Sequence, residues 1–160
     1  MKFVIRELLI LIFFLAINNL AFAQNKDADA IIGTWLMPDE EGIIEIYKEG
    51  DFYSGKILWV KETEIDGTPL KDKENPIDSL HNREIAGLKV MTGFKYTDNN
   101  LWNGGTFYAA RRGITTEPDF ELVDKNHLNI CVSILFFTKT IEFDRVDTAQ
   151  YFQNNKIKEN

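Results

Sequence analysis

One stretch constrains the fold of this chain more than any other, because residues 87–108 carry the pattern of a long β-hairpin. Apolar and polar side chains alternate from residue 88 to residue 96, the period of two that a strand with one buried face requires. The polar run at residues 97–100 has the composition of a tight turn. An extended run follows, and Gly104 and Gly105 inside it indicate a bulge or a close approach to the backbone. The alternation predicts a shared face for Leu88, Val90, Thr92, Phe94 and Tyr96.

The first 23 residues have the three-part pattern of a secretory signal peptide. Two basic residues precede an apolar core at residues 8–17, and Ala21 and Ala23 form a small-x-small cleavage site. A membrane anchor is the alternative, but the apolar core is shorter than the ~20 residues that a spanning helix needs. We therefore expect cleavage after Ala23, a periplasmic or secreted product, and no transmembrane segment after cleavage.

Removal of residues 1–23 leaves 137 of the 160 residues, a length typical of one domain. The removed segment holds two of the 18 basic and one of the 25 acidic residues, so 16 basic and 24 acidic side chains remain and the net charge is −8. An acidic domain repels phosphate groups. We expect neither nucleic acid nor an anionic membrane surface as a partner, and we expect a monomer.

The cysteine and histidine residues give no sign of a disulfide or a metal centre. Cys131 is the only cysteine, and its place in an apolar, strand-like run favours a small buried residue over a nucleophile. His81 and His127 are the only histidines, and neither stands in a metal-binding motif. A Ser-His-Asp or Cys-His arrangement assembled in space stays open. We predict no metal, no cofactor and no catalytic residue.

The rest of the chain alternates short apolar runs with turn residues, which predicts six further strands. The longest break, residues 61–82, is typical of a functional loop or lid, or of a solvated loop with one helical turn. Pro118 implies an edge or bulge position in its strand. Residues 147–160 lose all periodicity, so we expect a polar C-terminal tail. The strands predicted outside the hairpin are residues 31–37, 43–48, 52–60, 114–123, 128–136 and 138–146.

Eight antiparallel strands with mostly short connections predict an all-β domain over residues 24–146, either a sandwich or a barrel. An eight-stranded antiparallel up-and-down barrel is favoured because the connections are sequential and closure removes exposed edges. The interior of such a barrel is filled by side chains or holds one small ligand.

Gly33 and Trp35 near the start of the fold, and Arg145 in the last strand, resemble a feature of the lipocalin-like (calycin) barrels. In those barrels a Gly-x-Trp on the first strand closes the floor, and an arginine of the last strand lies across the indole. A cation above an aromatic face contributes about 0.5 to 2 kcal/mol. The resemblance implies that Gly33, Trp35 and Arg145 close one end of the barrel. The alternative is that Trp35 belongs to the core and Arg145 to the surface.

A wider resemblance rests on motifs that follow one another along the chain: Gly33-Thr34-Trp35, Asp72-Lys73-Glu74-Asn75-Pro76, Arg83, Gly87-Leu88, Met91-Thr92-Gly93-Phe94, Trp102-Asn103-Gly104-Gly105, Tyr108 and Arg145-Val146. As an ordered set with similar spacing they resemble the bacterial exported domain of unknown function (DUF) 2147. The resemblance implies a small exported barrel of lipocalin-like build, proposed to bind ligands, with no established chemistry.

The resemblance is weaker after Tyr108. Ala109-Ala110 stands where members of that family carry Asp-Pro, and Cys131-Val132-Ser133 stands where they carry Arg-Gly-Tyr. Thr138-Lys139 and Phe143 replace a Gly-Arg and a tryptophan of the final strand. A site that included those groups is altered in this chain.

We expect the barrel to bind a small hydrophobic molecule or lipid in its interior. The alternative is a barrel filled by its aromatic side chains, acting as an interaction or structural protein of the cell envelope through its outer surface. The residues expected to line the interior, its mouth or its entrance are Trp59, Val90, Phe94, Trp102, Phe107 and Tyr108.

An enzyme is the third hypothesis and the least supported by the sequence. Its candidate polar groups are Asp66, Asp72, Asn75, Arg83 and Arg111. Charged loop residues are usually solvated, and acid–base catalysis needs a cleft that the sequence does not show. We therefore do not expect catalysis.

Overall fold

The structure, a computed structural model, describes residues 28–63 and 67–158. The predicted signal peptide, residues 1–23, and the candidate residue Asp66 lie outside these residues. The chain separates into the units Met1–Ala30 and Ile31–Asn160. The described part of the first unit contributes to a short 3-10 turn at Asp29–Ile31. The sheet and the C-terminal helix belong to the second unit.

The described part of this unit contains a β-sheet, one α-helix and short 3-10 turns at Pro38–Glu40, Asp78–Leu80 and Ala110–Arg112. The strands and the helix are β1 (Gly33–Leu36), β2 (Gly42–Glu49), β3 (Phe52–Val60), β4 (Lys89–Tyr96), β5 (Leu101–Asn103), β6 (Thr106–Ala109), β7 (Ile114–Thr116), β8 (Asp119–Leu122), β9 (His127–Ile134), β10 (Phe137–Arg145) and α1 (Thr148–Lys158).

The sheet closes on itself as an antiparallel barrel. The ring runs β1-β2-β3-β4-β5-β8-β9-β10 and returns to β1. Strands β6 and β7 pair with each other and continue β5 and β8 towards one end, where β6 also pairs with β4. The predicted eight-stranded up-and-down barrel is therefore confirmed. Two of the eight predicted strands are each divided into two shorter strands.

Local chemistry explains both divisions. Gly104, between β5 and β6, has a φ of 73°, and a Cβ on the next residue, Gly105, would collide with the ring of Phe94. The chain can pass this ring only where it has no side chain. Pro118, between β7 and β8, has no N–H group to donate to a neighbouring strand.

The two ends of the barrel differ in their connections. At one end, called the floor, β1 begins, β10 ends, and short turns join β2 to β3, β4 to β5 and β8 to β9. At the other end, called the mouth, lie the β1–β2, β6–β7 and β9–β10 connections and the long β3–β4 loop. The mouth is therefore the end at which the chain carries its longest connection.

Aromatic side chains fill the barrel interior. Phe94 and Phe120 meet edge to face, with ring centroids 4.8 Å apart and an interplanar angle of 79°. Tyr53 meets Trp102 in the same way at 6.3 Å. Such pairs add about 0.5 to 1.5 kcal/mol to the hydrophobic gain from burial. The largest side chains that are fully buried in the barrel unit include Trp35, Trp102, Phe94 and Phe120.

Strand β4 departs from the strict alternation that its sequence predicts. Its register with β3 shifts twice, since Phe94 pairs with Tyr53, Met91 with Gly55, and Lys89 with Lys56. These bulges place Met91 on the interior face with Phe94, and both are fully buried, whereas Thr92 is exposed. The predicted shared face of Val90, Thr92 and Phe94 is therefore wrong, because each bulge adds a residue and reverses the alternation.

Residues 147–160 do not form the irregular polar tail that the sequence predicts, because they contain helix α1. Tyr151 and Phe152 pack against Trp59 of β3, with ring centroids 5.9 and 5.6 Å from the indole. The Tyr151 hydroxyl donates to a carboxylate oxygen of Glu40 at 3.3 Å. Burial and the charge of Glu40 raise the pKa of Tyr151. The two anchoring rings are adjacent in sequence, so they give no helical period.

The floor of the barrel is closed by Trp35 and Arg145, which are directly paired between β1 and β10. The guanidinium lies 4.1 Å from the centre of the indole ring. Arg145 also donates to the carbonyl oxygens of Ile32 at 2.8 Å and Lys125 at 2.5 Å. Gly33 has a φ of 142°, and a Cβ at this position would collide with the guanidinium.

Replacement of Trp35 by alanine tests how much the contacts at the floor contribute to the stability of the barrel. The indole is fully buried and its N–H donates to the carbonyl oxygen of Ile31 at 2.9 Å. We expect Trp35→Ala to lower the free energy of unfolding by about 3 to 5 kcal/mol, because the substitution leaves a cavity and removes the surface on which Arg145 stacks. Urea denaturation measures the loss. A loss below about 1 kcal/mol would contradict the buried position of the indole.

Candidate functional site

The sheet separates the residues that the sequence groups as one ligand site. Phe94 and Trp102 lie in the interior and are fully buried. Phe107 also faces the interior, where its ring centroid lies 6.0 Å from that of Phe120. These three side chains lie in or against the packed aromatic core, and the remaining three lie on the other face of the sheet.

Val90 and Tyr108 lie on the outer face. Met91 pairs with Phe107, and both face the interior. Tyr108, the chain neighbour of Phe107, therefore points to the opposite side of the sheet. Val90 lies in the bulge between Met91 and Lys89, where it stands with Lys89 opposite outward-facing Lys56. Val90 is nonetheless buried, as is Ile85 of the β3–β4 loop. The loop therefore folds over this part of the barrel wall.

Trp59 lies near the mouth end of β3, but on the outer face of the barrel. Ile44 pairs with Ile57, whereas its neighbour Ile43 pairs with Trp59, across a bulge in β3. Ile44 shares the interior face with Trp35, its partner in β1. Ile43 and Trp59 consequently face outwards, where Trp59 contacts α1.

Four residues of the sequence motifs meet beneath the β3–β4 loop and form what we call the polar clamp: Asp72, Asn75, Arg83 and Tyr108. The Asp72 side chain is completely inaccessible to solvent. One of its oxygens accepts a hydrogen bond from the Tyr108 hydroxyl at 2.6 Å. The other accepts from Arg83 Nε at 2.8 Å, from Arg83 Nη2 at 2.7 Å and from Asn75 Nδ2 at 2.9 Å.

The remaining groups of the polar clamp are also paired. Asn75 Nδ2 donates to the Tyr108 oxygen at 2.8 Å, and Asn75 Oδ1 accepts from the backbone N–H of Ile77 at 2.9 Å. His81 Nε2 lies 2.7 Å from the carbonyl oxygen of Asn75. The Arg83 guanidinium lies 5.7 Å from the centre of the Tyr108 ring. A buried charge needs such complete pairing to be tolerated.

The hydrogen bonds of the polar clamp attach the β3–β4 loop to the barrel wall. Burial and the hydrogen bond to Asp72 raise the pKa of Tyr108, so the phenol stays protonated near neutral pH and keeps donating. The carboxylate of Asp72 is occupied by four donor contacts. The clamp joins the loop residues 72–83 to the outer face of β6.

The other residues considered for catalysis do not join the polar clamp. Arg111 forms ion pairs with Glu41, at 3.1 Å, and with Glu62. These contacts tie the β6–β7 turn to two neighbouring connections at the mouth. Asp66 lies outside the described residues. The sequence brought Asp72, Asn75 and Arg83 together as candidates but missed Tyr108 as their partner, although the same ordered motifs contain it.

A second region differs from the packed core because its interior-facing residues reach solvent. We call it the mouth cup. Phe107 pairs with Thr116 and Ala109 with Ile114, so β6 and β7 continue the interior face towards the mouth. Ile130 pairs with Ile141 and Val132 with Lys139 in an unbroken register, which extends the same face along β9 and β10. The mouth cup comprises Phe107, Ile114, Thr116, Val132, Lys139 and Ile141.

Burial decreases steadily along this interior face. Trp102 and Phe120 are fully buried, Phe107 and Ile141 are partly exposed, and Ile114 at the end of β7 is 51% exposed. Apolar side chains that face inwards and still reach solvent form an accessible surface for an apolar molecule.

The wall beside the mouth cup is not fully sealed. Strand β9 pairs with β8 as far as Cys131, and no described residue of β7 pairs with β9. Strand β10 pairs with β1 only at Asp144 and Arg145. The outer half of the β9–β10 hairpin therefore leaves the barrel as a two-stranded ribbon, with a gap on each side.

Neither a metal site nor a membrane-spanning helix is found within residues 28–63 and 67–158. No group of three or more His, Cys, Asp or Glu side chains is placed to hold a metal ion. No helix there is long and apolar enough to cross a membrane.

Comparisons with known proteins agree with this architecture. The sequence model of a family described as "Uncharacterized protein conserved in bacteria (DUF2147)" matches residues 33–145, more than half of the chain. A solved structure, described as protein HP1028 from the human pathogen Helicobacter pylori and assigned to the lipocalin family, has a TM-score of 0.65 and 18% sequence identity. The alignment covers 77% of this chain and 87% of that one. No curated protein matches the sequence.

Replacement of Tyr108 by phenylalanine tests the polar clamp. The substitution removes one hydroxyl and leaves an oxygen of fully buried Asp72 without that donor. We expect the free energy of unfolding to fall by about 1 to 3 kcal/mol. The control is Tyr96→Phe, because the Tyr96 ring packs on Trp102 and its hydroxyl bonds to no described residue. Equal losses in the two variants would contradict the clamp.

Proposed function

Because the chain belongs to the DUF2147 family of uncharacterised bacterial proteins and folds as a lipocalin-like barrel, we propose that it binds a small hydrophobic molecule in the mouth cup. The observation that carries this proposal is the gradient of burial along the interior face. Apolar residues are packed out of reach in the floor half and accessible in the mouth half.

The aromatic core limits how deep a ligand can lie. Phe94, Trp102 and Phe120 have no accessible surface and contact one another or neighbouring rings. A ligand in the floor half would have to displace these rings from close-packed positions. In our proposal the ligand lies above Phe107, in contact with β7, β9 and β10. This site is shallower than the one that the sequence predicts.

The same lipocalin-like fold favours binding over catalysis in our proposal. The buried carboxylate of Asp72 is saturated by donors, and the raised pKa of Tyr108 keeps that phenol from acting as a base. The residues of the mouth cup are apolar apart from Thr116 and Lys139. A surface of this kind provides affinity through burial of apolar area.

Titration with the uncharged fluorescent probe N-phenyl-1-naphthylamine tests the mouth cup. The decisive variant is Ile114→Asp, which places a charge on the interior face at the mouth. Its matched control is Val123→Asp in the β8–β9 turn at the floor, because Val123 is 55% exposed against 51% for Ile114. We expect a saturable fluorescence increase with the parent and the control, and at least a roughly tenfold weaker affinity for Ile114→Asp, since a buried carboxylate must be desolvated.

Two results would contradict the mouth cup. One is a parent protein that gives no saturable signal, which would favour a filled barrel acting through its outer surface. The other is an equal loss of affinity in both variants. Native mass spectrometry after incubation with palmitic acid gives an independent measurement, with one added ligand mass expected for the parent.

We also propose that the protein is exported, on the basis of residues 1–23. The test is intact-mass spectrometry of protein recovered from the periplasm of an expressing bacterium. We expect the mass of a chain whose first residue is Gln24. Recovery of the uncleaved chain from the cytoplasm alone would contradict this prediction.

A further inference from the structure

The end of the β9–β10 hairpin carries three consecutive large apolar residues that are almost fully exposed. We call Leu135, Phe136 and Phe137 the hairpin tip; their exposed fractions are 91%, 95% and 80%. Other exposed apolar residues are much less accessible, with Ile77 and Val123 at 55%. Contiguous exposed apolar surface of this kind marks an interaction site.

The hairpin tip projects from the barrel wall. Pairing with β8 ends at Cys131, and pairing with β1 is confined to Asp144 and Arg145, whereas β9 and β10 pair with each other up to Ile134 and Phe137. The tip is therefore carried on a two-stranded ribbon and has no described wall strand beside it.

The turn at the tip keeps an apolar side chain where the backbone favours glycine. Leu135 has a φ of 54°, in the left-handed region that large side chains adopt at a cost. Glycine would suit this turn better than leucine does.

The charge distribution around the tip is unlike that of the rest of the chain. The chain has 25 acidic residues, but residues 130–141 contain none, and Lys139 is the only charged residue among them. The remaining polar side chains of the ribbon are hydroxyls and one thiol, and Ser133 and Thr138 lie 3.2 Å apart across the ribbon. The ribbon therefore presents apolar residues at its end, hydroxyls behind them, and one lysine.

We propose that the hairpin tip inserts into the surface of a lipid bilayer. The three tip side chains are 80–95% exposed and no acidic residue stands within residues 130–141, so an apolar end is presented without negative charge beside it, and lipid chains adapt to such an end whatever its shape. Insertion is limited to the three tip side chains, so the unpaired edges of the two-stranded ribbon stay at the depth of the polar headgroups. The hydroxyls and Lys139 then lie at the depth of the headgroups, where a lysine can extend its charge to water.

This inference does not depend on the mouth cup, because it rests on the three apolar residues of the hairpin tip, none of which belongs to the cup; Lys139 alone is common to both regions. The two proposals fail separately. A variant of the mouth cup that no longer binds the probe should still bind vesicles, and a variant of the hairpin tip that no longer binds vesicles should still bind the probe.

The test is sedimentation of the protein with sucrose-loaded phosphatidylcholine vesicles, which carry no net charge and so do not repel an acidic protein. The variant is Leu135→Gly combined with Phe136→Ser, and all proteins keep the same N terminus. Glycine fits the positive φ of residue 135, so we expect an unchanged or higher midpoint of thermal unfolding. We expect at least about tenfold weaker partitioning onto the vesicles, since two exposed apolar side chains are lost.

The matched control is Val123→Ser, which removes an exposed apolar side chain from the opposite end of the barrel. We expect it to partition like the parent. Absence of parent binding to phosphatidylcholine vesicles would overturn the proposal, and so would equal partitioning of the double variant and the parent. Sedimentation velocity without lipid tests whether the tip joins two copies of the chain. A parent that is dimeric and a double variant that is monomeric would assign the tip to that contact and overturn the membrane proposal.

Discussion

The stacking of Arg145 on Trp35 is the contact on which closure of the barrel depends. Strands β1 and β10 register at only two residue pairs, so the seam that joins the first strand to the last is short. Arg145 strengthens this seam by lying against the indole and by donating to the backbone on both sides of it, including Ile32, 113 residues away. The absence of a side chain at Gly33 provides the space for the guanidinium. With the seam closed, the aromatic side chains of the floor half have a sealed volume to fill.

The strands and the order of the barrel could be predicted from the sequence, but the faces of several strands could not. Alternation, turn residues and Pro118 are local signals, and they indicated all eight strand positions. A bulge adds a residue without leaving a local signal, so Met91 was assigned to the wrong face of β4, and the outward direction of Trp59 in β3 could not be foreseen. Helix α1 was not predicted because the rings that anchor it, Tyr151 and Phe152, are adjacent in sequence and so give no helical period. The polar clamp was foreseen in part, since Asp72, Asn75 and Arg83 were singled out. Their partner Tyr108 lies far along the chain and meets them only in space.

The polar clamp and the mouth cup differ in kind: the first is a set of structural contacts, and the second is our proposed binding surface. The polar clamp uses motif residues that resemble those of the family, and its saturated contacts attach the β3–β4 loop to the barrel wall. Several positions at which this chain departs from the family pattern, residues 131–133, Thr138 and Lys139, lie in the ribbon, whereas the departure at Phe143 is buried in the barrel. The residues of the polar clamp are not among the departures. In our proposal the family shares a scaffold, and the identity of what it binds is set by β9 and β10.

The gaps on either side of the ribbon have a consequence for how the chain behaves at high concentration. Beyond Cys131 in β9, and before Asp144 in β10, the outer edges have no strand partner among the described residues. Such edges present rows of backbone donors and acceptors that can pair with a strand of another molecule, which is a common first step in aggregation. Lys139 and Glu142 are the charged residues along these edges, and charged side chains oppose edge-to-edge pairing. A barrel that pairs almost all of its strands thus keeps one margin open to association, with only these two charges to oppose it.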